Sequence, residues 1–133
     1  MSWRQTCSTR PLGLTVLAAL LATSAGCRQG PDLAEVTGKV THQGQPVEGA
    51  FVDFIPLGEG KQSVGYTDEQ GEYRLQYTLR WTGALVGRHR VSIRIYPREG
   101  VKTISVPEKY GHQSKVEFEV EPGSNRFDID LSS

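Results

Sequence analysis

Three histidines, His42, His89 and His112, are the side chains best suited to acid–base or metal chemistry, and they lie far apart in the sequence. No His-x-His or His-x-x-x-His pair occurs. A zinc or iron site would have to gather them from three distant segments. Carboxylates concentrate in "TDEQGEY", where Asp68, Glu69 and Glu72 surround Gly71. Oxygen ligands at a turn suit calcium, but an EF-hand-type loop needs more ligands at alternate positions than this segment has. The expectation is a β-turn in which Asp68 accepts hydrogen bonds from backbone N–H groups and Gly71 takes the left-handed position. Ser63, Ser92, Ser105 and Ser114 occur without a Gly-x-Ser-x-Gly elbow. No glycine-rich phosphate loop leads into a helix. No catalytic residue, metal ligand or cofactor is therefore assigned.

Binding is easier to place than catalysis. Trp81, Tyr77 and Tyr110 are candidates for an aromatic platform that would stack on a sugar. Tyr77 is in phase with Tyr73 and Leu75, so it is expected in the core. Trp81 in "RWTG" and Tyr110 in "PEKY" remain as candidate ligand contacts, beside the irregular segment 97–111.

Strands must position these residues. From Val36 onward apolar side chains alternate with polar ones. Val36, Gly38 and Val40 share one face, then Ala50, Val52 and Phe54. "HQGQPVEG" between them carries Gly44, Pro46 and Gly49, so the two segments are expected to form the first hairpin. Val64 and Tyr66 make a third strand, with Tyr73, Leu75 and Tyr77 on the fourth. His89, Val91, Ile93 and Ile95 lie on a long fifth strand. Val116, Phe118 and Val120, then Phe127, Ile129 and Leu131, complete the set. Seven strands and no amphipathic helical window predict an all-β, antiparallel β-sandwich.

Charge is balanced, with 15 basic and 15 acidic side chains, so a nucleic-acid partner is excluded from the expectations. Its distribution along the strands is patterned. Arg88, Arg90 and Arg94 face opposite to Val91 and Ile93. Glu117, Glu119 and Glu121, then Asp128 and Asp130, face away from the core. The expectation is cross-strand ion pairing within one sheet, which also fixes register.

The start of the chain follows different rules. "MSWRQTCSTR" has Arg4 and Arg10 and no acid, and "PLGLTVLAALLA" is an apolar run. Small residues follow. This layout predicts a secretory signal peptide over residues 1–26. "LLATSAGC" resembles the lipobox of bacterial lipoproteins, with Ala25 and Gly26 before the cut and Ser24 where the pattern prefers an aliphatic residue. The resemblance implies that Cys27 becomes the first residue and carries the lipid. Cys7 leaves with the signal, so the processed chain has no disulfide. Residues 27–34 are expected as lipidated Cys and tether, and residues 35–133 as the domain.

"VTGKVTHQGQPVEGAFVDF" and "GYTDEQGEYRL" resemble the carboxypeptidase regulatory-like domains. Gly38, Val40, Gly44, Pro46, Val47, Gly49, Ala50 and Val52 match the first part of that pattern. Thr67, Asp68, Gly71 and Tyr73 match the second. The resemblance implies a transthyretin-like (prealbumin-like) Greek-key sandwich and a non-catalytic accessory role. Two enzymes share that sandwich. Intradiol dioxygenases hold iron with two Tyr and two His, including a His-x-His pair. Hydroxyisourate hydrolases end in Tyr-Arg-Gly-Ser, whereas this chain ends "FDIDLSS". Neither catalytic set carries over.

These readings converge on a non-catalytic, lipid-anchored module of the cell envelope, extracytoplasmic and membrane-bound through Cys27, with an envelope protein or glycan as partner. A carbohydrate- or peptide-binding module using Trp81 and Tyr110 is the alternative. A metal-dependent enzyme is the third reading.

Overall fold

The structure is a computed structural model that describes residues 30–132; the predicted signal peptide and Cys27 lie outside them. Among the described residues it is all-β, with ten strands in two sheets and one 3-10 turn, Glu108–Tyr110.

The first sheet is organised around β1, Leu33–His42. Along one edge β1 pairs antiparallel with β6 (Ala84–Leu85), β5 (Glu72–Arg74) and β2 (Gln45–Pro46). Along the other edge it pairs parallel with β9 (Ser124–Arg126) and β10 (Ile129–Asp130). Five short strands thus complete one long one. β1 begins at Leu33, so Leu33 and Ala34, expected in the tether, are already paired with Leu85 and Ala84.

The second sheet runs β4 (Ser63–Tyr66), β3 (Ala50–Pro56), β7 (Gly87–Ile95), β8 (Glu117–Val120). All its pairings are antiparallel. The hairpin expected between the first two segments is therefore corrected. β1 turns back only into the two residues of β2, and the chain then crosses to the other sheet as β3. The turn is tight, with Gln43 at φ 52° and Gly44 at φ 75°, both in the left-handed region that a type I′ turn requires.

The apolar faces of the sheets meet in one core. Val36, Val40, Val52, Phe54, Leu75, Val91, Ile93, Ile129 and Leu131 are almost fully removed from water there. Gly38 sits among them for reasons of space. A Cβ there would run into the Phe127 carbonyl and the Tyr73 ring, where the Tyr73 hydroxyl donates to Phe127 O at 2.6 Å. The "TDEQGEY" segment is the expected turn. Asp68 Oδ1 accepts from Gln70 N and Glu72 N, both at 2.9 Å, and Gly71 has φ 76°.

One strand has the opposite phase to its prediction. Ser63 and Gly65 of β4 are buried, while Tyr66 is 64% exposed. Gly65 lies against the Arg74 carbonyl, where no side chain fits, so the larger residues turn outward.

Candidate functional site

The outward face of the second sheet carries the residues with unspent chemistry. On β3 these are Phe51, Asp53 and Ile55, because Val52 and Phe54 point into the core. On β7 they are Arg88, Arg90, Ser92 and Arg94. Register places Phe51 between Tyr66 and Arg94, Asp53 between Val64 and Ser92, and Ile55 beside Arg90. Asp53 is thus flanked diagonally by two arginines, a distance that long side chains bridge. Arg94 Nη2 lies 3.3 Å from Asp53 Oδ2. The same guanidinium sits 4.8 Å from the Phe51 ring centroid, a cation–π contact. Tyr66 and Tyr96 meet Phe51 edge-on at 5.0 and 6.3 Å, and both tyrosines are at least half exposed.

The loop after the 3-10 turn forms the wall of a cleft over this face, held by Ser92 Oγ donating to Gly111 O at 3.2 Å. The cleft has about 290 Å³ and is lined by Asp53, Ile55, Gln62, Arg90, Ser92, Arg94 and His112. Asp53 is only 4% exposed. Its Oδ1 accepts no hydrogen bond from the protein, and neither does Arg90 Nε donate one, although both atoms are buried. Burial raises the Asp53 pKa, opposed by the nearby Arg94 and Arg90 charges. The cleft therefore holds an unpartnered carboxylate acceptor and an unpartnered guanidinium donor among its lining residues, and Phe51, with Tyr66 and Tyr96, packs next to it on the far side of Arg94. Native proteins satisfy most such groups, so the pair marks a place where a polar partner is wanted.

The predicted contacts are not brought together. Trp81 is 40% exposed in the turn before β6, whose Ala84 pairs with Ala34 at the start of β1. Tyr110 is half-buried against the core at the other end. Its hydroxyl pKa is raised by burial and by Asp130, and Asp130 pairs with Thr41. Seven residues of strand separate Ala34 from Thr41, roughly 23 Å. Trp81 and Tyr110 do not share a platform. Tyr77 packs half-buried, with its Oη 3.5 Å from Lys61 N.

The histidines also stay apart. His89 is buried against Phe54 with Nδ1 3.1 Å from Gly87 O, and burial lowers its pKa. His112 is at the cleft rim and His42 at the end of β1. Among the described residues no group of three or more His, Cys, Asp or Glu converges.

The expected charge ladder is present only in part. Arg88 Nη1 reaches Glu117 at 3.9 Å between β7 and β8. Asp128 and Asp130 lie with the first sheet instead, where Arg126 pairs with Asp128 and Glu72. A larger groove of about 580 Å³ runs between the β1–β2 turn and residues 100–105, without a buried unpartnered atom.

Asp53 is the residue that sequence reasoning missed. Its signal is in "AFVDFIP": both faces of that strand are apolar except at one carboxylate. Comparisons with known proteins add little. No family model matches the chain, and no curated protein matches it. Among solved structures it is similar to the crystal structure of a DUF3823 family protein from Parabacteroides merdae. The identity is 15% and the TM-score 0.49, over 77% of this chain and 47% of that one, so the match spans about half of the other protein.

Proposed function

We propose that this chain is a non-catalytic binding module of the cell envelope, held to a membrane by lipid on Cys27, with its ligand site on the outward face of the second sheet. The lipobox-like "LLATSAGC" supports the anchor. The motifs around Gly38 and Asp68 support a carboxypeptidase regulatory-like domain, whose members are mostly accessories. The observation that carries the binding site is the buried Asp53 carboxylate with one oxygen unpartnered, in a cleft that Arg90, whose Nε is also unpartnered, lines with it.

The ligand class follows from that pair. A hydroxyl both donates, to Asp53 Oδ1, and accepts, from Arg90 Nε. The neighbouring Phe51, Tyr66 and Tyr96 offer rings against which the C–H face of a sugar packs. Carbohydrate is therefore the ligand proposed, at this cleft and not at Trp81 and Tyr110. Isothermal titration against a glycan and peptide panel tests it. Binding of a glycan that is lost in Asp53→Asn and weakened in Phe51→Ala is expected. Binding untouched by either substitution would remove the site. Metabolic acyl labelling that persists in Cys27→Ala would remove the anchor.

A further inference from the structure

One end of the sandwich displays large apolar side chains that the core does not use. Leu79 is 102% exposed, Leu57 53% and Trp81 40%. Leu79 is held outward by a built turn. Tyr77 N and Thr78 N both donate to Trp81 O, at 2.9 and 3.0 Å. Arg80 N and Trp81 N donate to Thr78 Oγ1, at 3.2 and 3.1 Å. The turn cannot fold Leu79 back without losing these bonds. Its neighbour is the loop carrying Leu57, since Lys61 N approaches Tyr77 Oη at 3.5 Å and Gly60 lies directly on the Leu85 side chain.

Leu85 in turn pairs with Leu33, and Val86 N donates to Asp32 O at 2.9 Å. The exposed leucines and Trp81 therefore belong to the end of the sandwich at which the chain enters the domain. Cys27 is six residues before Leu33 in sequence, a reach of roughly 20 Å when extended. The residues next to these apolar side chains in sequence carry both signs, Glu59 and Lys61 after Leu57 and Arg80 between Leu79 and Trp81, with Asp32 at the entry of the chain. Contact with a surface would thus rest on apolar insertion, with little help from net charge. Trp near exposed Leu, with charged residues adjacent in sequence, is the makeup of an interfacial membrane contact.

We propose that this end of the domain rests on the lipid surface, with Leu79 and Trp81 entering the boundary between headgroups and acyl chains. The proposal rests on the reading of Cys27 as lipidated. It gives the domain a fixed orientation. Phe51 and Tyr96 lie toward the opposite end of the strands that bear Leu57 and Arg88, so the aromatic cluster next to the cleft would face away from the bilayer.

The processed chain provides its own reporter, because Trp3 leaves with the signal and Trp81 is the single tryptophan left. The lipidated full protein is reconstituted into phosphatidylethanolamine–phosphatidylglycerol vesicles containing lipid brominated near the top of the acyl chain. Mass spectrometry reports acylation, and fluorescence reports depth. The expected result is an acylated chain whose Trp81 emission moves to shorter wavelength and is quenched, with quenching largely lost in acylated Leu79→Asn. For the unacylated Cys27→Ala processed chain, Leu79→Asn is expected to weaken vesicle partitioning about tenfold. An acylated chain with unquenched Trp81, or equal quenching in Leu79→Asn, overturns the orientation and leaves the anchor standing. A chain without acyl modification overturns the anchor and the orientation with it.

Discussion

At Asp53 burial raises the carboxyl pKa, and the two arginines only partly oppose it. The folded state then holds this proton more tightly than the unfolded state does. Stability is therefore greatest below the ordinary aspartate range and falls as pH rises through the raised pKa. Above that window the charged carboxylate is a standing penalty. Asp53→Asn is expected to be at least as stable as wild type at neutral pH. Its stability should change less than that of wild type as pH rises above the ordinary aspartate range, in urea titrations followed by circular dichroism. A substitution that spares stability and removes ligand binding is the signature of a residue kept for function. Tyr73 makes a contrasting case. Its hydroxyl is buried and bonded to Phe127 O, and burial, with Asp128 nearby, raises its pKa. Tyr73→Phe should cost about 1–3 kcal/mol, because the bond is lost and a half-buried carbonyl is left without its donor. Wild type should also lose stability as pH climbs above about 10, where unfolded tyrosine ionises and folded Tyr73 does not. The Phe variant should show a shallower alkaline loss.

Among the elements, the β1–β2 turn is the clearest place for a gain. Gln43 has φ 52° without the short polar side chain that tolerates this region, and only Gly44 beside it is suited to the turn. Gln43→Asn should raise stability by roughly 0.5 kcal/mol in chemical denaturation, with the backbone bond from Gln43 N to Ser132 Oγ retained. Alternation in the sequence was enough to find the long strands, because a half-buried strand has a period of two. It assigned the core faces of β1, β3, β7 and β8 correctly. It failed at β4, where Val64 and Tyr66 look like a buried pair but Gly65 is forced inward by the Arg74 backbone. It failed again for sheet membership. Asp128 and Asp130 alternate as the glutamates of β8 do, and only the pairing of β9 and β10 with β1 separates them. The cleft was hidden for a related reason. Asp53, Arg90, Arg94 and His112 come from three segments and meet only once β3 and β7 are in register. Trp81 and Tyr110 were visible as aromatics in loops, but periodicity has no way to say which end of a sandwich a loop occupies.

For the molecule as a whole, stability depends on long-range completion of a single strand. β1 is satisfied along one edge by the last residues of the chain. Phe127 N donates to Thr37 O, and Leu131 N to Thr41 O, across about ninety positions of sequence. Those same residues place Ile129 and Leu131, each 1% exposed, in the shared core. Losing one such side chain costs about 2–5 kcal/mol, against a total stability near 5–15 kcal/mol for an ordinary domain. Removing residues 127–133 takes out both, leaves the Tyr73 hydroxyl without its acceptor and opens an edge of β1. The truncated chain should therefore show no cooperative thermal transition and weak amide dispersion by NMR. The double variant Leu57→Ser/Leu79→Ser alters exposed loop positions and should melt as wild type does. A cooperative melt in the truncated chain would mean that β1 is held by its other edge alone. The parallel strands would then be an accessory to the fold rather than its closing step.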